Sequence, residues 1–337
     1  MNELGEIQLF TAKDLETDQE ARWCPGCGDY AILKAMQMTL PNFNRPKNEF
    51  VFISGIGCSS RFPYYMNTYG MHSIHGRAAA IASGLKTTRP ELSVWVITGD
   101  GDSLSIGGNH LIHVLRRNID VNILLFNNQI YGLTKGQYSP SSEYGKITKS
   151  SPIGTVENPF NVINLCIGAG STFVARTMDK DIKHQQSIYS KAYYHKGTSI
   201  VEIYQNCNVF NDGAFDELTD KNLKHQNALF LEHGKPMLFN QDTQGLAMIE
   251  NQIKVVNANE ANQILVHDEN NLHQAFALSN LTYQKNLPTP FGVIYQNNEV
   301  KTYEEGISKQ IALSKIDNKK EQFKNLLKTN HSWKINQ

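Results

Sequence analysis

Apolar residues along the chain gather in short runs, and these runs alternate with longer amphipathic segments. The runs rich in β-branched and aromatic residues predict strands at residues 50–53, 94–97, 121–126, 173–175 and 199–204. Segments with helical spacing predict helices at residues 29–40, 77–87, 108–117, 159–167 and 181–195. Strands that alternate with helices of this length indicate βαβ units. The pattern therefore predicts an α/β fold built on a doubly wound parallel sheet.

The pattern changes along the chain and suggests three parts. The nearly continuous apolar run at residues 121–126 is typical of a strand buried on both faces. After about residue 215, Asn and Gln become frequent and periodicity weakens, with one candidate helix at residues 270–281. We expect an N-terminal leader, a main domain, and a C-terminal extension that packs on the main domain or on a partner subunit. Their bounds are residues 1–19, 20–214 and 215–337.

Composition narrows the class of protein. Among 337 residues, 32 Lys and Arg balance 32 Asp and Glu, which excludes a strongly basic nucleic-acid binder as the default expectation. No apolar run is long enough to predict a transmembrane helix, and the acidic first residues do not resemble a secretory signal. Five cysteines without such a signal indicate a reducing compartment, so we expect a cytoplasmic protein without disulfides.

Two polar loops follow neighbouring predicted strands. Gly99-Asp100-Gly101-Asp102 comes after the strand at 94–97, and Asn127-Asn128 follows the strand at 121–126. The intervening residues, 102 to 126, provide one crossover helix and one strand, so both loops should leave the same sheet edge. A carboxylate and an amide oxygen suit Mg²⁺, which is often held together with substrate phosphates, and glycines let backbone N–H groups approach phosphate. Either loop alone is also a common turn.

Four cysteines form a second group of candidate ligands. Cys24-Pro25-Gly26-Cys27 is a C-x-x-C motif, whereas Cys58 and Cys207 are far away in the chain. Four thiolates suit an iron–sulfur cluster or a structural zinc, and the dispersed spacing favours the cluster. A redox pair and a role without metal stay open. Cys166 lies among apolar residues and is predicted to pack as a small buried side chain.

Five ordered segments together resemble the β subunit of 2-oxoacid:ferredoxin oxidoreductases, over roughly residues 20–240. They are residues 23–28 (WCPGCG), 55–59 (GIGCS), 72–78 (HSIHGRA), 99–102 (GDGD) and 127–137 (NNQIYGLTKGQ). The last two also resemble the thiamine diphosphate motif of thiamine-dependent enzymes. The resemblance implies the diphosphate-binding domain fold of those enzymes.

The resemblance also implies three sets of ligands. One [4Fe–4S] cluster would be held by Cys24, Cys27, Cys58 and Cys207. Mg²⁺ would be held by Asp100, Asn128 and the carbonyl group of Ile130. Thiamine diphosphate would contact Ile56, Gly57, Cys58, Ser59, His75, Gly101, Asp102, Gly132 and Leu133.

The implied activity is oxidative decarboxylation of a 2-oxoacid to an acyl-coenzyme A, with electrons passed through the cluster to ferredoxin. Arg61 can form a bidentate pair with a substrate carboxylate and Lys135 can supply a point charge, although Arg61 could instead pair with a partner subunit or a diphosphate. Segments 61–65 (RFPYY) and 132–137 (GLTKGQ) look most like the 2-oxoglutarate-using members, which form succinyl-coenzyme A. Pyruvate or a branched-chain 2-oxoacid is the alternative. A non-catalytic, zinc-binding scaffold subunit is a remote one.

The resemblance implies a partner as well. Thiamine-dependent enzymes need a carboxylate from a pyrimidine-binding domain, and the motifs present here belong to the diphosphate-binding domain. We therefore expect a heterodimer with an α subunit that carries the pyrimidine-binding domain, and no partnership with nucleic acid or membrane.

Overall fold

The computed structural model describes residues 10–259, 264–315, 318–328, 333 and 335, so the first nine residues of the predicted leader lie outside it. Its strands are β1 (Phe50–Ser54), β2 (Tyr69–His72), β3 (Ser93–Gly99), β4 (Asn122–Asn127), β5 (Phe173–Met178), β6 (Ser199–Tyr204), β7 (Ala228–Phe230), β8 (Leu238–Phe239), β9 (Gln244–Ile249), β10 (Gln252–Asn257) and β11 (Thr289–Gln296). Its α-helices are α1 (Asp29–Thr39), α2 (Ala78–Thr88), α3 (Asp100–Leu104), α4 (Gly108–Arg117), α5 (Val162–Gly168), α6 (Ile182–Tyr194), α7 (Asp216–Thr219), α8 (Lys224–Asn227), α9 (Leu272–Ser279), α10 (Tyr303–Ser314) and α11 (Lys319–Leu327).

An eight-stranded sheet in the order β2-β1-β3-β4-β6-β5-β11-β7 forms the centre of the molecule. Its pairs are parallel except β5 with β11, which are antiparallel. The five predicted strands and the helices between them are confirmed, with ends that differ by a few residues. The predicted α/β class with a mostly parallel sheet is also confirmed.

Alternate residues of the central strands enter two separate cores, one on each face of the sheet. Val94 and Val96 of β3 pack with α2 and α4, whereas Trp95 and Ile97 face α1 and α6. Burial on both faces explains why these strands are continuous apolar runs in the sequence. The two helical layers leave the carboxyl ends of the strands as the open edge at which loops can form a site.

The C-terminal extension contributes to the main sheet. β11 lies between β5 and β7, and β8, β9 and β10 form a separate antiparallel sheet. A bulge between Val293 and Tyr295 interrupts the pairing of β11 with β5. The exposed edge strand β2 is a further strand that hydrophobic patterning did not predict. Among the described residues, none of the helices combines the length and the apolar character needed to cross a membrane.

Candidate active site

The two polar loops lie side by side at the carboxyl edge of the sheet. β3 and β4 are parallel neighbours in which Gly99 is opposite Phe126, so the residues that follow each strand meet at one edge. They border a cavity of about 240 Å³, called the cofactor cavity below. Its walls contain all the predicted thiamine diphosphate contacts and the three predicted Mg²⁺ ligands, which are Ile56, Gly57, Cys58, Ser59, His75, Asp100, Gly101, Asp102, Asn128, Ile130, Gly132 and Leu133.

Asp100 is a buried carboxylate of this cavity. Its Oδ2 atom accepts hydrogen bonds from the hydroxyl groups of Ser139 and Ser141, both at 2.5 Å. Burial raises the pKa of Asp100 to about 6, and the two serine hydroxyls oppose that shift. A cation beside the carboxylate would favour its ionised form further. Asp100 therefore has the chemistry of a Mg²⁺ ligand, with Asn128 and Ile130 in the same cavity wall.

Asp102 joins three loops of the cofactor cavity. Its Oδ1 atom accepts from the backbone N–H groups of Ile56 at 3.0 Å and Gly76 at 2.7 Å, and lies 2.7 Å from Nδ1 of His75. Its Oδ2 atom accepts from Thr98 at 2.7 Å. Protein donors thus occupy both oxygens, so the side chain of Asp102 fixes the shape of the cavity.

Two positions in the same loops must be glycine, because neighbouring side chains lie too close to their Cα atoms to leave space for a Cβ atom. A Cβ atom on Gly101 would lie 2.1 Å from Cε1 of Tyr131, and one on Gly55 would lie 2.0 Å from Oδ2 of Asp102. Any side chain at either position would overlap a residue that forms the cavity. The glycines of both motifs are therefore explained by packing in addition to phosphate access.

The four predicted cluster ligands border a second cavity of about 210 Å³, called the cysteine cavity below. A Cβ atom on Gly132 would lie 3.5 Å from Sγ of Cys58 and 3.6 Å from Sγ of Cys207, so these two sulfurs flank the glycine. Cys24 and Cys27 complete the wall. The structure brings together four cysteines that span most of the chain.

Burial favours the protonated form of two of the four thiols, those of Cys27 and Cys58. Burial raises the pKa of Cys27 well above its ordinary value and that of Cys58 to about 12, and the nearby Asp29 carboxylate acts in the same direction. Within the described ranges, no three His, Cys, Asp or Glu side chains converge closely enough to hold one metal ion. Four thiolates are a donor set that both an iron–sulfur cluster and a structural zinc site use.

The predicted substrate-binding residues lie around the cysteine cavity. Arg61 and Lys135 are in its wall, and neither is among the residues that line the cofactor cavity. Arg61 donates from Nη1 to the backbone carbonyl group of Arg22 at 3.0 Å. Cys166, in contrast, is a residue of α5 and is fully buried in the core, as expected for a packing residue.

The two cavities share a wall. Cys58, Asn128, Gly132 and Leu133 line both of them. A ligand in the cofactor cavity and a group held by the cysteines would therefore be separated by single residues. Short separation of this kind is what electron transfer between two bound groups needs.

Several buried polar residues of the site had no sequence motif to identify them. The carboxylate of Asp29 is buried at the cofactor cavity, and burial raises its pKa to about 7. A second group extends from Asp100 through Ser141 and Asn127 to Glu202, with distances of 2.9 Å and 2.8 Å for the last two contacts. The sequence marked Glu202 only as a polar residue within an apolar strand, and it gave no such signal for Asp29 at the start of α1.

Comparison with known proteins agrees with this geometry. Residues 55–203 match the model of the C-terminal thiamine pyrophosphate-binding domain of thiamine pyrophosphate enzymes. The chain is 49% identical over 309 residues to a protein named 2-oxoglutarate oxidoreductase subunit KorB, from Mycobacterium tuberculosis, with 90% of this chain and 82% of the relative covered. It is 44% identical to the β subunit of a 2-oxoacid:ferredoxin oxidoreductase from Aeropyrum pernix, over 58% of this chain and 62% of that one.

A solved structure extends the similarity to the whole fold. The chain superposes with a TM-score of 0.77 and 29% identity on a 2-oxoglutarate:ferredoxin oxidoreductase from Magnetococcus marinus, covering 96% of this chain and 98% of the other. That structure holds 2-oxoglutarate, coenzyme A and succinyl-coenzyme A. Fold, cofactor cavity and relatives agree with the resemblance found in the sequence motifs, and the chain belongs to the family of 2-oxoacid:ferredoxin oxidoreductase β subunits.

Proposed function

We propose that the chain is the β subunit of a 2-oxoglutarate:ferredoxin oxidoreductase, which converts 2-oxoglutarate and coenzyme A to succinyl-coenzyme A and CO₂ and passes electrons to ferredoxin. The wall shared by the cofactor cavity and the cysteine cavity carries this proposal. It makes Cys58 a member of both sites, as expected where a decarboxylation site and an electron acceptor work together.

In this proposal, thiamine diphosphate occupies the cofactor cavity with Mg²⁺ bound by Asp100, Asn128 and the Ile130 carbonyl group. When bound, thiamine diphosphate supplies the electron sink for decarboxylation and the [4Fe–4S] cluster supplies one-electron acceptance. Ser139 and Ser141 fix the carboxylate of Asp100. Asp102 holds the loops of Ile56 and His75 around the cavity.

The four cysteines would hold the cluster in the cysteine cavity. Their donor set fits, because four cysteines border one cavity and a [4Fe–4S] cluster takes four thiolates. Cys58 and Cys207 would be the ligands nearest the cofactor cavity, since their sulfurs flank Gly132 in the shared wall. Binding requires loss of the thiol protons, so assembly is expected to be favoured by rising pH.

For the substrate we propose 2-oxoglutarate over pyruvate or a branched-chain 2-oxoacid. The names of the M. tuberculosis and M. marinus proteins support this choice. Arg61 and Lys135 provide two positive charges near the shared wall, and a dicarboxylate has a second carboxylate for such a charge to bind.

An α subunit would complete the active site. Relatives of this chain are named β subunits, which implies that an α subunit is their partner. Exposed apolar side chains on the loops next to the cofactor cavity, Ile74 at 72%, Ile106 at 52% and Leu133 at 41%, support a protein surface that covers this edge. Coenzyme A and ferredoxin would bind to the assembled heterodimer.

Metal analysis tests the proposal. Iron, acid-labile sulfide and zinc are measured per chain on protein purified without oxygen, together with the visible spectrum. About four iron and four sulfide are expected for one [4Fe–4S] cluster. A colourless protein with about one zinc and no sulfide would contradict the redox role and favour the scaffold alternative.

A further inference from the structure

Gln205 connects the two halves of the proposed site. It directly follows β6, where its backbone N–H group donates to the carbonyl group of Asn127 at 3.0 Å, and the residue is 1% exposed. Its side chain lies in the wall of the cysteine cavity. A Cβ atom on Gly28 would lie 3.0 Å from Cγ of Gln205, so the chain beside the C-x-x-C motif packs closely against it.

The nitrogen end of the Gln205 amide faces a predicted cluster ligand. Nε2 donates to the backbone carbonyl group of Asn206 at 2.5 Å and to Sγ of Cys27 at 3.3 Å. These two contacts use both N–H groups of the amide. Rotating the amide by a half turn would put its oxygen against a carbonyl oxygen and a thiolate, so the hydrogen bonds fix the orientation.

The oxygen end of the same amide faces a predicted Mg²⁺ ligand. Oε1 of Gln205 accepts from Nδ2 of Asn128 at 2.8 Å. This contact fixes which end of the Asn128 amide is nitrogen and which is oxygen. Oδ1 of Asn128 accepts one hydrogen bond, from Ile130 at 3.2 Å, and a carbonyl oxygen has a second lone pair that can bind a cation.

We propose that Gln205 is a positioning residue that acts on both cofactors at once, by aiming the Asn128 oxygen at the cation and by donating an N–H group to the Cys27 thiolate. The inference rests on the proposed function, because it needs the cation and the cluster. A hydrogen bond to a ligating sulfur stabilises the more negative, reduced cluster and so raises its reduction potential.

Substitutions at Gln205 separate the two effects. Gln205→Glu keeps an oxygen that accepts from Asn128 but removes the N–H donor to Cys27, whereas Gln205→Leu removes both contacts. Gln185→Leu is the matched control, because Gln185 is a fully buried glutamine of α6. Its side-chain amide donates a hydrogen bond to the backbone carbonyl group of Asp179 and accepts one from the Tyr189 hydroxyl, and it contacts neither Cys27 nor Asn128.

Two measurements are made on the complex purified without oxygen. The midpoint potential of the cluster is taken from a redox titration followed by electron paramagnetic resonance. The affinity for Mn²⁺, used in place of Mg²⁺ in the presence of thiamine diphosphate, is taken from the signal of free Mn²⁺.

We expect Gln205→Leu to lower the midpoint potential and to weaken Mn²⁺ binding about fivefold, as the loss of one hydrogen bond of about 1 kcal/mol would do. Gln205→Glu should lower the potential but leave Mn²⁺ affinity within about twofold of the parent's, and Gln185→Leu should leave both unchanged. An unchanged potential in both Gln205 variants overturns the role at the cluster. An unchanged Mn²⁺ affinity in Gln205→Leu overturns the role at the cation. If the parent protein contains no iron and sulfide, the proposed function is overturned. The Mn²⁺ affinities of the variants then test only the role of Gln205 at the cation.

Discussion

Nε of Arg176 lies 2.8 Å from Oε2 of Glu202, and the two residues are opposite each other on the parallel strands β5 and β6. Their exposed fractions are 0% and 1%. The other carboxylate oxygen of Glu202 accepts from Asn127 at 2.8 Å, one residue before the predicted Mg²⁺ ligand Asn128. A buried ion pair in the sheet thus supports the loop that forms the site.

Removing one partner of this pair should be far more harmful than removing both. Glu202→Gln leaves the Arg176 charge buried without compensation, which we expect to lower the free energy of unfolding by about 3–5 kcal/mol. The double variant Arg176→Met, Glu202→Leu should lose less than Glu202→Gln. Chemical denaturation of the three proteins measures this, and equal losses in the single and double variants would contradict it.

Asp100→Asn should weaken binding of thiamine diphosphate with Mg²⁺ by more than tenfold. The substitution keeps the shape of the side chain but removes the charge that the cation requires, and hydrogen bonds or contacts to charged groups contribute about 1.5–3 kcal/mol. Calorimetric titration with thiamine diphosphate at fixed Mg²⁺ concentration measures the effect. Asp220→Asn, at an exposed position, is the control. Equal affinities for the two variants would remove Asp100 from the cation site.

Cys58→Ser should lose the iron and the visible absorption of the cluster, whereas Cys166→Ser should retain both. Of the two thiols, that of Cys58 borders the cysteine cavity, whereas that of Cys166 is buried in the core on α5. Iron and sulfide content per chain, together with thermal stability, separates loss of the cluster from loss of the fold. Retention of a full complement of iron by Cys58→Ser would exclude it as a ligand.

Arg61→Ala should raise KM for 2-oxoglutarate more than KM for pyruvate, because a dicarboxylate loses a second charge contact. Lys135→Met is expected to act in the same direction. The control is Arg89→Ala, since Arg89 pairs with Glu91 at an exposed surface position. Steady-state kinetics with both substrates tests the role in specificity, which equal losses on both would rule out.

Stability should fall in acid because of His184. Burial lowers the pKa of His184 to about 4 from an ordinary value of 6.5, and its Nδ1 atom lies 2.8 Å from the Thr177 hydroxyl. The unfolded chain therefore binds a proton that the folded chain does not, and the free energy of unfolding should decrease by roughly 3 kcal/mol between pH 6.5 and 4. Thermal unfolding measured between pH 6.5 and 4 should show that the stability of His184→Gln falls less steeply with decreasing pH than that of the parent protein. The variant His273→Gln, at an exposed position, should show the same pH dependence as the parent.

The local pattern of apolar and polar residues was sufficient to predict the central strands and to predict that the motif loops meet at one edge of the sheet. Burial on two faces requires a continuous apolar run, and parallel neighbours bring the residues after Gly99 and Phe126 to one edge. β11 escaped prediction because Pro290 and Gly292 interrupt its apolar run. The structure accommodates Gly292 at φ +118°, where a Cβ atom would lie 2.8 Å from the carbonyl oxygen of Leu231.

The supporting polar residues could not be derived from the sequence. Gln205 and Cys27 are separated by 178 positions, and nothing in the residues around Gln205 indicates that its amide faces inward. Glu202 lies within a strand that is otherwise apolar, and a buried charge at such a position requires an oppositely charged or hydrogen-bonding partner. The residues around Glu202 in the sequence do not identify that partner as Arg176. Contacts of this kind depend on the order of strands in the sheet.

The position of β11 bears on how the molecule forms during synthesis. Since Thr289–Gln296 lies between β5 and β7, the edge of β5 has no neighbour on that side until these residues have emerged from the ribosome. An emerging chain that already contains every cysteine and both motif loops would still carry an unpaired strand edge, the kind of surface that chaperones bind and that promotes aggregation.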